Sequence, residues 1–180
     1  SVAALAEVWN ELQKAAGGMG RINDLLQEQP GIGAPAQPLA LPSPLRGEIV
    51  FDDVTFHYPQ RPDAAALAGF RLRVAPGETV ALVGPSGAGK STVLSLLLRF
   101  HDPQAGRILL DGVDIRGLDP ARLRDAIALV PQSPTIFAAS AADNIRYGRL
   151  DASDADIRRA AEAAEADAFL DALPDGFASE

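Results

Sequence analysis

The sequence predicts an α/β fold: a short buried strand feeds a glycine-rich loop and a buried helix, with further short strands on either side and a long helix near the N-terminus. Three observations predict it. Thr79-Val80-Ala81-Leu82-Val83 is a short β-branched run suited to a buried parallel strand. Gly84-Pro85-Ser86-Gly87-Ala88-Gly89-Lys90-Ser91-Thr92 fits the phosphate-binding pattern G-x-x-x-x-G-K-[ST] in full. Val93, Leu94, Leu96, Leu97, Leu98 and Phe100 then place apolar residues almost all round a helix, which predicts burial.

The chemistry of the pattern needs each part of its spacing. Glycines let the backbone turn tightly and bring its N–H groups against phosphate oxygens with no side chain between. Lys90 follows where an ammonium reaches the β and γ phosphates, and the Ser91 hydroxyl is placed to take one position on Mg²⁺. The helix that starts here points its positive end at the anion. Gly84, Pro85, Ser86, Gly87, Ala88, Gly89, Lys90, Ser91 and Thr92 are therefore the candidate nucleotide-binding residues. A chance glycine turn is the competing reading, and the order strand, loop, buried helix argues against it.

Bulk composition bounds the rest. The chain has 180 residues, 47% hydrophobic and 22% charged, enough for one domain with a sizeable core plus an appendage. Its net charge is −8, whereas a nucleic-acid footprint is basic and clustered, so no nucleic-acid partner is expected. Cysteine is absent, which removes disulfides and thiolate metal sites. No run of about 18 apolar residues occurs, and the N-terminus lacks the basic-then-apolar pattern of a signal peptide; nothing here is expected to span a bilayer.

In chain order, residues 1–29 read as one amphipathic helix through Leu5, Val8, Trp9, Leu12, Ala16, Met19, Ile22, Leu25 and Leu26, weakened at Gly17, Gly18 and Gly20. It either folds back on its own domain or connects to something outside the chain. Residues 30–46, with Pro30, Pro35, Pro38, Pro42 and Pro44, read as a semi-stiff linker. From Gly47 the pattern turns to strand: Ile49, Phe51, Val54, Phe56 and Tyr58 supply β-formers, with a bulge expected at Asp52-Asp53. Tyr58-Pro59 ends that strand, Gln60–Ala66 is a loop, and Arg71–Val74 a second short strand. Tyr58 on its own reads as half-buried packing.

Past the buried helix, Gly106–Ile115 is two strand-like runs about Asp111-Gly112. An aspartate ending an apolar run is also what a Mg²⁺-holding strand looks like. The hairpin is favoured, because a parallel strand needs a crossover and here a second strand follows at once. Pro120–Asp125 is a short helix, and Ile127-Ala128-Leu129-Val130 a second buried strand closed by Pro131-Gln132. A glutamine leaving a core strand reads either as a polar loop residue or, where the strand ends beside a phosphate site, as a group that coordinates Mg²⁺ or orients a water. The second reading sets Gln132 with Lys90 as a candidate catalytic residue and with Ser91 as a candidate metal ligand. Residues 135–149 read as loop and short helix. Ser153 with Asp156 forms a capping box, Ile157, Ala161, Ala164 and Ala168 line one face of the helix that follows, and Asp154 and Arg158 are spaced to pair outside it. Leu173-Pro174-Asp175-Gly176 is a turn.

Taken together, these pieces resemble the ATP-binding cassette of an ABC transporter, of the exporter type that fuses membrane and nucleotide domains. The likeness runs from about Leu45 to Glu180. It rests on Phe56-His57-Tyr58-Pro59, the Walker A stretch Gly84–Thr92, Leu97-Leu98-Arg99-Phe100, Ile108–Ile115, Val130-Pro131-Gln132 and Asn144-Ile145-Arg146-Tyr147-Gly148. Residues 1–29 more loosely resemble the cytoplasmic extension of such a transporter's last membrane helix.

The resemblance implies a P-loop NTPase core with an antiparallel β subdomain, ATP and Mg²⁺ as ligands, and three units: the helical extension 1–29, the linker 30–46 and the N-terminal part of the ATP-binding domain, 47–180. It makes Tyr58 the aromatic residue that stacks on adenine, Gln132 the Q-loop residue, and Asp111 a hairpin residue rather than the Walker B aspartate. It implies as partners a second ATP-binding domain, with ATP sandwiched against that domain's signature motif, and the coupling helices of a membrane domain. It places the assembly at the cytoplasmic face of the cell membrane. The family's signature motif, Walker B aspartate, catalytic glutamate and switch histidine fall downstream of Glu180, as do the strands that flank the P-loop strand. The chain by itself is accordingly expected to bind ATP but not to hydrolyse it. Two other readings stay open: a self-contained P-loop kinase or GTPase using Asp111 on Mg²⁺, and a non-catalytic nucleotide-binding module.

Overall fold

The computed structural model describes residues 9, 13, 19–23, 25–27 and 30–180. They divide into two units, with the boundary between Ala128 and Leu129. Of the N-terminal stretch, residues 9, 13, 19–23 and 25–27 are helical, and Trp9, Met19, Ile22, Leu25 and Leu26 are exposed. The rest of the helix expected over 1–29 lies outside the described residues. No helix among the described residues is long and apolar enough to cross a membrane.

The first unit is built on a four-stranded antiparallel sheet of order β2-β1-β3-β4, with β1 at Ile49–His57, β2 at Ala65–Val74, β3 at Ala105–Leu110 and β4 at Val113–Asp114. Strict alternation along β1 would put Phe51 and Asp53 on one face. The register of β1 against both neighbours instead shifts between residues 51 and 55, with Asp53 in the left-handed region at φ 55°. This is the expected bulge. Its extra residue turns Val54 to the same side as Phe51, so that Phe51, Val54 and Phe56 all reach the core. Gly106 of β3 crosses the bulge at φ 78°, so close that a Cβ there would lie 2.4 Å from the Asp53 carbonyl oxygen.

Asp111 and Gly112 join β3 to β4 at φ 48° and 81°, the paired left-handed conformation of a two-residue hairpin turn. The hairpin reading of this aspartate is confirmed. Its carboxylate accepts from the backbone N–H groups of Arg46 at 2.5 Å and Glu48 at 2.7 Å, and its own N–H donates to the Glu48 carbonyl at 2.8 Å. Those amide donors hold the Asp111 carboxyl below the usual aspartate range. A further tie lies upstream. Leu39 forms an isolated parallel bridge with Leu118 and donates its N–H to the Gly117 carbonyl at 2.8 Å, so part of the proline-rich stretch is docked on the unit.

Helix α1, Lys90–Leu97, packs Val93, Leu96 and Leu97 into the core beside Phe56, Leu67, Ile108, Leu110 and Leu123. Burying each such side chain contributes roughly 1.5–3 kcal/mol. Burial all round the helix does not hold, since Leu94 and Phe100 are exposed. The helix ends in a Schellman pattern, with Phe100 N–H to Ser95 O and Arg99 N–H to Leu96 O, both 3.0 Å, and the non-glycine Arg99 at φ 52°. Arg99 is buried, and it donates to the carbonyls of Ile115 and Leu118 and to Asp102. Arg124, from helix α2 (Pro120–Asp125), donates to the Leu98 and Arg99 carbonyls. The Arg124 guanidinium thus satisfies carbonyls at the end of α1, while that of Arg99 ties the same end to the 3-10 turn at Ile115–Gly117 and to Leu118.

Two expected strands are not formed. Residues 79–83 and 127–130 carry strand composition but join no ladder among the described residues, and Val83 and Val130 are 88% and 91% exposed. Strand propensity is a preference for packing on a neighbouring strand. Without one, these segments form no ladder: Leu82 and Ile127 are partly buried against the core and their remaining residues are exposed. Conversely, β2 is longer than Arg71–Val74, because Ala65 and Leu67 pair with His57 and Phe56 of β1.

The second unit is helical: α3 at Ala141–Arg146, α4 at Asp154–Ala163 and α5 at Asp167–Asp171. The Asn144 side chain organises the loop ahead of it, accepting from Phe137 N–H and donating to the carbonyls of Phe137, Ala139 and Ser140. The capping box at Ser153 and Asp156 is present. Ile157 and Ala161 are buried as expected, but Ala164 and Ala168 are exposed, because α4 stops at Ala163 and Glu165 turns left-handed at φ 55°. Asp154 and Arg158 do not pair. Arg146 takes Asp154 at 2.7 Å, and Arg158 forks onto Asp171 of α5 at 2.9 and 3.0 Å.

The capping box sets a pH dependence. Hydrogen bonds from the Ser153 hydroxyl and backbone N–H, followed by the charges of Arg149 and Arg159, hold the Asp156 carboxyl at about 2, against 3.8 for a free aspartate. A depressed folded value stabilises the cap above about pH 4, and the contribution is lost as pH falls toward 2. A carboxyl-detected NMR titration is expected to place the Asp156 midpoint near 2, and Ser153→Ala to move it toward 3.8. An Asp156 midpoint near 4 in the wild type contradicts this.

Candidate functional site

The loop Gly84–Gly89 sits between the irregular segment 79–83 and the first turn of α1. Gly84, Gly87 and Gly89 take φ values of 153°, 82° and 85°, conformations an L side chain rarely adopts. Gly89 is the N-cap of α1, so no side chain caps the helix, and its first turn carries no acidic residue. A glycine is also required there for space: a Cβ at Gly89 would stand 2.6 Å from the Ala66 carbonyl oxygen and 2.9 Å from Leu67 Cδ2. The start of α1 therefore rests directly on β2.

Lys90 Nζ donates to the carbonyls of Gly84 and Pro85, both at 2.8 Å. The side chain arches back over the loop and ties the start of α1 to the loop's first two residues. An ammonium has three N–H donors, so one remains for an oxygen arriving at the loop. Pro85, Ser86, Ala88 and Ser91 are exposed. Uncapped amides at a helix N-terminus, with a lysine bonded across the glycine loop, are suited to gripping a phosphate chain.

Tyr58 follows β1 and is half-buried. Its ring stands edge-on to Phe56, with centroids 4.9 Å apart, and to His101 at 5.4 Å. Its hydroxyl lies 3.2 Å from Oγ1 of Thr92, a buried residue in the first turn of α1. Just ahead of it, the Gln104 side-chain amide accepts from His57 N–H at 2.9 Å and donates to His57 O at 3.0 Å, fixing the backbone that delivers Tyr58.

The structure thus brings together Tyr58 and the stretch Gly84–Thr92 in the first unit. Gln132 belongs to the second unit, where it is exposed in an irregular segment. Asp111, with both carboxylate oxygens on backbone amides, serves its turn. Sequence reasoning missed Gln104 and the Tyr58–Thr92 contact, which no spacing rule marks. Arg99 and Arg124 left a trace in the sequence, as basic residues near a helix end.

Residues 67–178 match the ABC transporter family. A mitochondrial potassium channel ATP-binding subunit from Xenopus tropicalis is 44% identical over 98% of this chain and 26% of its own length. ABC transporter B family member 3 from Dictyostelium discoideum is 52% identical over 76% of the chain and 10% of its own length. ATP-binding cassette sub-family B member 10, mitochondrial, from Mus musculus is 42% identical over 98% of the chain and 25% of its own length. A solved structure of a bacterial Atm1-family ABC exporter with ATP bound is similar with a TM-score of 0.85 at 38% identity, covering 98% of this chain and 30% of that one. The chain therefore spans about a quarter or less of the length of these curated relatives. With the loop, its helix and the sheet in the places described, and the family match running through them, the chain belongs to the ABC transporter family.

Proposed function

We propose that this chain binds ATP with Mg²⁺ and forms the N-terminal part of the nucleotide-binding domain of an exporter, whose ATP hydrolysis drives a substrate across a membrane. One observation carries the reading: the closed glycine loop on an uncapped helix, with Lys90 bonded across it. The likeness to an exporter structure with ATP bound supports it. In this reading, the first-turn amides of α1 and the remaining N–H of Lys90 hold phosphate oxygens, the Ser91 hydroxyl faces the metal, and Tyr58 receives the adenine. Mg²⁺ supplies neutralisation of the charge that develops on the transferred phosphoryl group. Gln132 acts at the metal and the attacking water.

Residues 1–29 extend a last membrane helix, 30–46 link it, and 47–180 begin the ATP-binding domain. A second such domain completes the ATP site across a dimer, and a membrane domain engages through its coupling helices. ATP is bound on the cytoplasmic side, and turnover belongs to the whole protein.

Calorimetry on the intact protein tests the reading. Removing one charge-assisted donor costs about 1.5–3 kcal/mol, so Lys90→Ala is expected to weaken MgATP on the order of 10- to 100-fold. Equal affinity in wild type and variant overturns it.

A further inference from the structure

Thr92 is buried at 5% exposure on the core side of α1, and a buried hydroxyl needs a partner. Its partner is the Tyr58 phenol, 34 residues away in sequence, at 3.2 Å. Three further contacts close a frame around this bond. Phe56, two residues before Tyr58, pairs with Leu67 in the β1–β2 register. Leu67 and Ala66 bear on Gly89, the cap of α1. Phe56 and His101 set the tilt of the Tyr58 ring, at 77° and 83° to their own planes. The ring is thus held near-perpendicular to two neighbouring rings, and Thr92 fixes its polar end to the helix that bears the phosphate loop.

We infer that Thr92 is a positioning residue for the base platform: its hydroxyl bonds the Tyr58 phenol, locks the ring relative to the loop, and so makes base and triphosphate recognition interdependent. This rests on the reading of Tyr58 as the surface that receives adenine. The ring then has no freedom to settle independently of the loop, and a nucleotide meets one prearranged span. Tyr58→Phe, which keeps the ring but removes the bond, is consequently not a neutral change.

The test is a double-mutant cycle on the intact protein, titrated separately with MgATP and with inorganic tripolyphosphate. Thr92→Val and Tyr58→Phe are each expected to weaken MgATP by about threefold to tenfold, the range of one net hydrogen bond, and to weaken tripolyphosphate clearly less. The double variant is expected to be no weaker than either single one, and Thr92→Ser to recover the loss. Additive losses, or a Thr92→Val loss as large for tripolyphosphate as for MgATP, overturn the inference. Tyr58→Ala separates it from the reading beneath it. If Tyr58→Ala weakens both ligands equally, the base platform itself is wrong. If it weakens MgATP selectively while Thr92→Val does not, the platform stands and only the role of Thr92 fails.

Discussion

Gly106→Ala is expected to destabilise the sheet by more than about 3 kcal/mol, the range of a forced rearrangement of packed backbone. The added Cβ would lie 2.4 Å from the Asp53 carbonyl oxygen, 2.5 Å from that of Asp52 and 2.6 Å from the Asp53 carbonyl carbon. All three are backbone atoms of the β1 bulge, so no side chain can swing aside. The φ of 78° adds about 1 kcal/mol for an L residue. Relief requires β3 to leave β1, and with it Ile108 and Leu110 would leave the core. Gly112→Ala is the control: at φ 81° it has the same conformational cost, but nothing lies within 4 Å of its Cβ. Thermal unfolding of the intact protein, followed by circular dichroism, is expected to show a large fall for Gly106→Ala and a small one for Gly112→Ala. Similar falls in both would refute the close-contact account.

The second large effect is on binding. Gly89→Ala places a Cβ 2.6 Å from the Ala66 carbonyl oxygen and 2.9 Å from Leu67 Cδ2, at a φ of 85°. Either α1 lifts from β2 or the cap unwinds, and both move Lys90 and the first-turn amides away from the loop. MgATP affinity is expected to fall more than about 100-fold, equivalent to roughly 3 kcal/mol, with most of the helix and sheet content retained. Gly87→Ala, at φ 82° with no atom within 4 Å, isolates the conformational part and is expected to lose about tenfold or less, near 1 kcal/mol. Calorimetry paired with circular dichroism checks both, and wild-type affinity in Gly89→Ala would be incompatible with this geometry.

Much of this was legible from local pattern. Asp111-Gly112 announced its turn because both residues tolerate left-handed backbone, and the bulge was marked by a charged pair interrupting an alternating run. The phosphate loop was legible in full because its chemistry is fixed by backbone and spacing over nine successive positions. What the chain did not disclose depends on distant partners. Ala65 and Ala66 have little strand preference, yet they lie in β2 because β1 runs alongside them. Thr79–Val83 has the preference but no strand beside it among the described residues. Arg158 had a tempting neighbour one helical turn back and bonds instead across to α5, where its fork meets a carboxylate squarely. The Tyr58–Thr92 bond belongs to the same class, a meeting made by the sheet rather than by local order.

The grip of Asp111 on residues 46 and 48, together with the bridge at Leu39, ties the chain ahead of β1 to the β3–β4 hairpin and the turn after it. A tether free from residue 30 to the first strand would have a slack of roughly 60 Å, whereas here Pro30, Gly31 and Ile32 line one cavity with Phe56, Pro59 and His101, and Leu39 is bonded further on. Strain in the chain at Leu39 is therefore passed through its bond to the Gly117 carbonyl into the 3-10 turn at Ile115–Gly117 and the hairpin beside it.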